Sequence, residues 1–249
     1  MMATAIFRFH GELGYFLSPE RRGGAFSHAC ARAATIKNAI ESLGVPHTEA
    51  GTLTVNGQPA TLLRIVREAD AIEVFPHHAA DAATEEMPLF LADAHLGGLA
   101  RLLRMLGFDT LYQNAYTDRE ILERLGRERR ILLTRDRELL KCRDVHRGCY
   151  VRARKAEAQL AEVAARYALA RRARPFTLCL HCNVRLEAAP PDEVARQVPA
   201  PIVARYTGFA RCPGCNRIYW EGSHWERMRA MLGRALDAAT QPVTAPPRV

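Results

Sequence analysis

Between Leu89 and Leu169, short apolar runs alternate with helical patterns, and the first run stops on an acid. The stretch PLFLADAHLGGLARLLRMLGFDT sets Leu89-Phe90-Leu91-Ala92 before Asp93. Leu96, Leu99, Leu103 and Leu106 then recur at helical spacing as far as Gly107. Further along, Thr110–Tyr112 predicts a strand, Thr117 to about Glu128 a helix, and Arg130–Thr134 a strand. Arg137–Lys141 predicts a helix, Cys149–Val151 a strand, and Ala156–Leu169 a longer helix with Leu160, Val163 and Tyr167 on one face. Such alternation with short connections constrains this segment to an α/β arrangement, a parallel sheet covered by helices with right-handed crossovers.

In that arrangement, residues just beyond the strand C-termini share one edge, where ligands bind. Asp93 ends the first strand, Asp118 and Glu120 open the helix after the second, and Asp136 follows Ile131-Leu132-Leu133-Thr134-Arg135. Carboxylates gathered on one edge repel one another unless a cation lies between them. Oxygen-only ligands suit Mg²⁺ or Mn²⁺, which can activate water and stabilise an in-line phosphoryl displacement. Local readings compete with this one. Thr117-x-x-Glu120 fits a capping box, Asp118 suits a helix dipole, and Asp136 fits an N-cap. A cap explains Asp93 less well, because it follows so apolar a strand. Arg101, Arg104 and Arg135 could steer a phosphate backbone or stand as solvated helix charges.

Ahead of this segment, residues 1–80 predict a small α+β unit. Thr4–Phe9 is a strand, Ala34–Leu43 a helix carrying Ile36, Ile40 and Leu43, and Ala71–Phe75 a closing strand. Between them, Thr52–Val55 meets Asn56-Gly57, a strong hairpin signal. The order resembles the ubiquitin-like β-grasp fold. Small sulfur carriers of that fold react through a C-terminal Gly-Gly, whereas this segment runs on into Pro76-His77-His78. The two histidines are expected as linker residues, and Ala79–Met87 as the linker itself.

Behind it lie two C-x-x-C pairs, Cys179-Leu180-His181-Cys182 and Cys212-Pro213-Gly214-Cys215, each followed by an asparagine. Four thiolates from paired turns make a closed tetrahedral Zn²⁺ site, structural because no ligand position is left for water. Pro190–Tyr206 fills the long gap as a helical insertion. His181 and His224 are surplus to a complete ligand set. Trp220 and Trp225 pack the module or stack on bases, with Arg211, Arg217 and Arg227 offering phosphate contacts. The other three of the seven cysteines, Cys30, Cys142 and Cys149, have no ligand spacing. This usage favours a reducing compartment over a disulfide framework.

The motifs PLFLADAHLGGLARLLRMLGFDT, TDREILERL and RILLTRDREL resemble the PIN-like nucleases, and the closest pattern is the Mut-seven C-terminal RNase family. That resemblance covers nearly the whole chain. It implies a PIN-like three-layer parallel sheet domain at 88–172, preceded by a β-grasp domain at 1–80 and followed by a zinc ribbon at 173–236; the composition of TQPVTAPPRV predicts a disordered tail at 237–249. The resemblance further implies a metal-dependent ribonuclease whose catalytic acids are Asp93, Asp118 and Asp136, with Glu120 as a fourth candidate. The net charge of +8 suits RNA, single-stranded or structured, as the partner. The β-grasp domain would dock a protein or regulate. No window holds the ~18–20 apolar residues of a membrane helix, and MMATAIFRFHGEL lacks a signal peptide's pattern. A cytoplasmic protein is expected. Two other classes fit the same residues: a non-catalytic RNA-binding adaptor whose acids are caps, and a hydrolase of small phosphoesters.

Overall fold

The computed structural model describes residues 2–77 and 86–223, with 226, 229–230 and 232–234 beyond them. His78, the linker up to residue 85, His224, Trp225, Arg227 and the tail from 237 lie outside the described residues. Along the chain come β1 (Ala3–Phe9), β2 (Ala25–Cys30), α1 (Ile36–Ser42), β3 (Ala50–Val55), β4 (Gln58–Pro59) and β5 (Ala71–Pro76). Next are β6 (Phe90–Ala92), α2 (Gly97–Met105), β7 (Thr110–Tyr112), α3 (Asp118–Arg127), β8 (Ile131–Thr134), α4 (Arg137–Lys141), β9 (Gly148–Tyr150) and α5 (Ala156–Arg166). The last elements are β10 (Glu187–Ala188), α6 (Pro191–Gln197), α7 (Ala200–Arg205), β11 (Ala210–Arg211) and β12 (Ile218–Tyr219). Two compact units result: Met1–Ala82 with Thr117–Tyr150, and Ala83–Tyr116 with Val151–Val249.

In the first unit a five-stranded sheet runs β2-β1-β5-β3-β4, with β1 and β5 parallel and the other pairs antiparallel. That mixed order is the ubiquitin-like arrangement the segment predicts. Alternation in β1 buries Ala5, Phe7 and Phe9, and α1 adds Ile36, Ala39 and Ile40. Thr35 and Asn38 form a capping box that starts α1. Asn56 and Gly57 have φ of 53° and 76°, and Val55 pairs with Gln58, so the hairpin turns where the Asn-Gly signal predicts.

The same unit holds β8 and β9, which pair in parallel. Its unexpected feature is the turn His47–Glu49 between α1 and β3, all three residues of which are buried. His47 Nε2 donates to the Val145 carbonyl at 2.9 Å while Nδ1 meets the Glu41 carboxylate at 2.7 Å. Glu49, 2% exposed, accepts the backbone N–H of Tyr150 at 2.8 Å. The β-grasp module and the β8–β9 stretch therefore pack as one body. Glu49→Ala should leave that strand N–H without its charged acceptor, at a cost of about 2–3 kcal/mol. Urea unfolding of the full chain measures this, and an unchanged midpoint would mean the contact is dispensable.

In the second unit β6 and β7 pair in parallel, and α2, which buries Leu99, Ala100, Leu102 and Leu103, packs on α5. Gly107 stops α2 at a φ of +84°, and a Cβ there would stand 2.1 Å from the Arg174 carbonyl oxygen. The long helix expected over Ala156–Leu169 ends early, because Ala168 turns left-handed at φ 50°. Both α6 and α7 fall within the helical insertion predicted at Pro190–Tyr206. Strands β10, β11 and β12 form a small antiparallel sheet around the cysteines. Among the described residues no helix is long and apolar enough to cross a membrane.

Candidate functional site

Each C-x-x-C pair folds into the same tight turn. Cys179 N–H donates to the Val184 carbonyl and Asn183 N–H to the Cys179 carbonyl. In the second turn Cys212 N–H donates to Arg217 and Asn216 N–H to Cys212. Asn183 and Asn216 take φ of 62° and 55°, which asparagine tolerates better than other side chains, and so each closes its turn. The four sulfurs lie within 4.8 Å of one another, with Cys179 and Cys215 at 3.7 Å. Tetrahedral Zn–S bonds of ~2.3 Å place sulfurs ~3.8 Å apart, so this set fits a four-thiolate metal site.

Thiols packed this closely share protons unevenly. Burial, then the Cys215 sulfur, pushes Cys182 up to about 12. Burial also raises Cys215, but the Arg217 N–H and the neighbouring thiols outweigh it and hold that group at about 6. The Tyr219 hydroxyl, 3.1 Å from Cys179 Sγ, is raised by burial and then by that sulfur. His181 is exposed and outside the sulfur cluster.

A correction concerns Arg104, which the sequence offers as a phosphate contact. It is 6% exposed. Its Nε donates to the Thr110 carbonyl at 2.9 Å, and Nη1 donates to the carbonyls of Leu180 and His181 at 3.1 and 2.9 Å. The guanidinium thus braces the first cysteine turn instead of meeting solvent. Asn183 completes the brace, accepting from the Thr110 N–H and donating to Asp109. Arg104→Met keeps the aliphatic bulk and strands three carbonyls, so it should destabilise the chain by about 3–5 kcal/mol. Thermal melting of the metal-loaded protein tests this, and a shift under ~2 °C would mean the brace is redundant.

The acids occupy the ends of elements. Asp93 closes β6, half-buried, and its Oδ1 accepts from the Ala94 N–H at 2.6 Å. This is the local cap that its apolar strand argued against. Just beyond, the Tyr112 hydroxyl donates to the Ala94 carbonyl and crowds Gly97, where a Cβ would sit 2.5 Å from it. A side chain at this position would push the Tyr112 ring aside, which accounts for the Gly in Asp93-Ala94-His95-Leu96-Gly97. Asp136 heads α4, and its Oδ1 accepts from the N–H groups of Glu138 and Leu139. Asp118 is exposed in the first turn of α3. Glu120 Oε2 accepts from the N–H and hydroxyl of Thr117 at 2.9 Å, the capping box predicted for that helix, and this bonding holds its carboxyl below the usual range.

Asp118 and Asp136 each lie within electrostatic reach of the Cys142 thiol. Burial raises that thiol first, followed by the charges of Asp118, Asp136, Asp144 and Glu138. Of the basic candidates, Arg101 is exposed and Arg135 half-buried. Arg211 pairs with Glu187 and Glu193, so its charge is engaged within the small sheet. Trp220 is half-buried against Phe209, consistent with packing. The residue passed over in the sequence is Arg137, although its signal was there in Arg135-Asp136-Arg137, with an arginine on each side of an acid.

A family model described as Mut7-C RNAse domain matches residues 88–232, and one described as Mut7-C ubiquitin matches residues 2–81. No curated protein and no solved structure matches the chain.

Proposed function

The chain belongs to the Mut7-C RNAse family, matched over residues 88–232, and on that premise we propose that it hydrolyses RNA phosphodiester bonds at a metal-dependent, PIN-like acidic site. The family match carries this reading. Asp93, Asp118 and Asp136 all fall within the matched range and offer only oxygen, the donor set that hard divalent ions prefer. Mg²⁺ or Mn²⁺, when bound, supplies an activated water and neutralises charge on the phosphate. Capping does not compete with this role, since a carboxylate has about four lone-pair sites and a cap uses one oxygen. Glu120 is a fourth candidate, with one oxygen, Oε2, engaged in the capping box. Arg101 and Arg135 contact the phosphate backbone.

The four cysteines hold structural Zn²⁺, which fixes both turns and the small sheet between them. Two C-x-x-C pairs at metal-ligand spacing suit a cytoplasmic, reducing setting. The ubiquitin-like domain offers a surface for a protein partner. The adaptor reading takes the local caps at Asp93 and Asp136 as the whole role of those acids. The readings separate on labelled single-stranded RNA with and without added Mn²⁺ or Mg²⁺. Ion-dependent cleavage supports the nuclease, and RNA bound but left intact supports the adaptor.

A further inference from the structure

Arg137 opens α4 immediately after Asp136. Its guanidinium carbon lies 5.0 Å from the Tyr15 ring centroid, 5.1 Å from Phe16 and 5.5 Å from Tyr150. Tyr15 and Phe16 end the helical turn Gly11–Phe16 of the β-grasp module, whereas Tyr150 ends β9. The rings support one another. Phe16 meets Tyr150 edge-on at 5.4 Å, and Tyr15 lies 5.8 Å from Tyr150. The Tyr15 hydroxyl is hydrogen-bonded to Tyr150 and faces Arg137, and its pKa is lowered by Tyr150 first and also by the charges of Arg137 and Arg135.

Three partly buried arginines pair with carboxylates: Arg64 with Asp70, Arg152 with Glu162, and Arg211 with Glu187 and Glu193. Arg137 differs. Among the described residues its partners are the aromatic cluster, and no ion pair includes it. The rings and the Tyr15 and Tyr150 hydroxyls, which accept hydrogen bonds from it, hold the guanidinium in place without the neutralising charge of a carboxylate. Tyr15 is 45% exposed, so the cluster opens to water. A fixed, uncompensated guanidinium beside a second arginine is suited to a phosphodiester, which it can bind in bidentate fashion.

We propose that Arg137 binds a backbone phosphate of RNA, and that Tyr15 and Phe16 position it, making the β-grasp module part of the nuclease's substrate surface. The identity of the polyanion rests on the ribonuclease reading. The competing view is that Arg137 is only a staple between the module and α4, which charge-sensitive binding can distinguish.

The test is the affinity of the full-length, zinc-loaded protein for a fluorescent single-stranded oligoribonucleotide, without added divalent ion, across a salt series. Arg137→Met should raise Kd about tenfold and flatten the slope of log affinity against log salt by about 0.7, one phosphate contact's share. Arg137→Lys should restore the slope but only part of the affinity. Arg119→Met removes an equal charge from the exposed face of α3, where Arg119 pairs with Glu123, and should leave both quantities near wild type. Unchanged Kd and slope in folded Arg137→Met overturn the proposal. So does an equal effect from Arg119→Met, or a wild type that does not bind RNA. If Arg137→Met fails to fold, Arg137→Lys decides: wild-type affinity in that folded variant overturns the proposal. Cleavage is read separately. RNA cut with no dependence on Arg137 removes the subsite and spares the nuclease, while Arg137-dependent binding without cutting does the reverse.

Discussion

Stripping the metal from the four cysteines should unfold that module and lower the melting temperature by more than ~10 °C, on the order expected when several kcal/mol are lost from a chain of this size. The small sheet cannot hold itself together, since β10, β11 and β12 are two residues each. What fixes it is the four-sulfur set, and apparent binding energies for structural zinc run to about 10–16 kcal/mol. The loss spreads because Arg104 donates to Leu180 and His181 inside the first turn while also holding Thr110 of β7. Once the turn opens, that buried guanidinium loses two acceptors. Cys212→Ala should reproduce the effect, with zinc content below one ion per chain. A melting curve unmoved by chelation would show that side-chain packing, and not metal, holds the module.

The second large effect concerns the acids, and here asparagine is the informative substitution. An asparagine side-chain oxygen at either position would still accept the backbone N–H groups that Asp136 and Asp93 now accept, so Asp136→Asn and Asp93→Asn remove charge and keep the caps. Cleavage should fall about 10³-fold or more, equivalent to ~4 kcal/mol of barrier, with melting within a few degrees of wild type. Alanine at either position also deletes the cap, at a further ~0.5–2 kcal/mol of stability, and so confuses the two roles. If the acids are caps alone, the asparagine variants will match wild type in every respect.

How much of this was legible depended on whether the forces were local. Strand β7 and helix α4 lie where the sequence predicts them, because short apolar runs and Asp or Thr caps act within a few residues. The cysteine turns were equally plain, since spacing alone dictates a knuckle. Arg104 was not. It sits on α2 between buried leucines and reads as a charge at the helix margin, but its acceptors lie 76 and 77 residues away. His47 and Glu49 carry no sequence signal of their own, and their partners lie 98 and 101 residues away. Those long-range pairings also make the β-grasp module pack with β8 and β9 as one unit, a grouping the three-segment reading of the sequence did not contain. For the candidate site, strand ends mark Asp93 and Asp136 and a helix start marks Asp118 and Glu120, whereas the aromatic clamp on Arg137 needed the fold.

The most direct test of the central claim is cleavage of labelled single-stranded RNA by wild type and by the double variant Asp93→Asn, Asp136→Asn. Both proteins should be matched for zinc content and melting. Adding Mn²⁺ or Mg²⁺ to zinc-loaded protein that is free of other divalent ions is preferable to EDTA, which would also strip the four-cysteine site. The account predicts ion-dependent cutting by wild type and none above background by the variant. Equal cutting by the folded variant, or RNA bound by wild type and left whole with either ion, would contradict it.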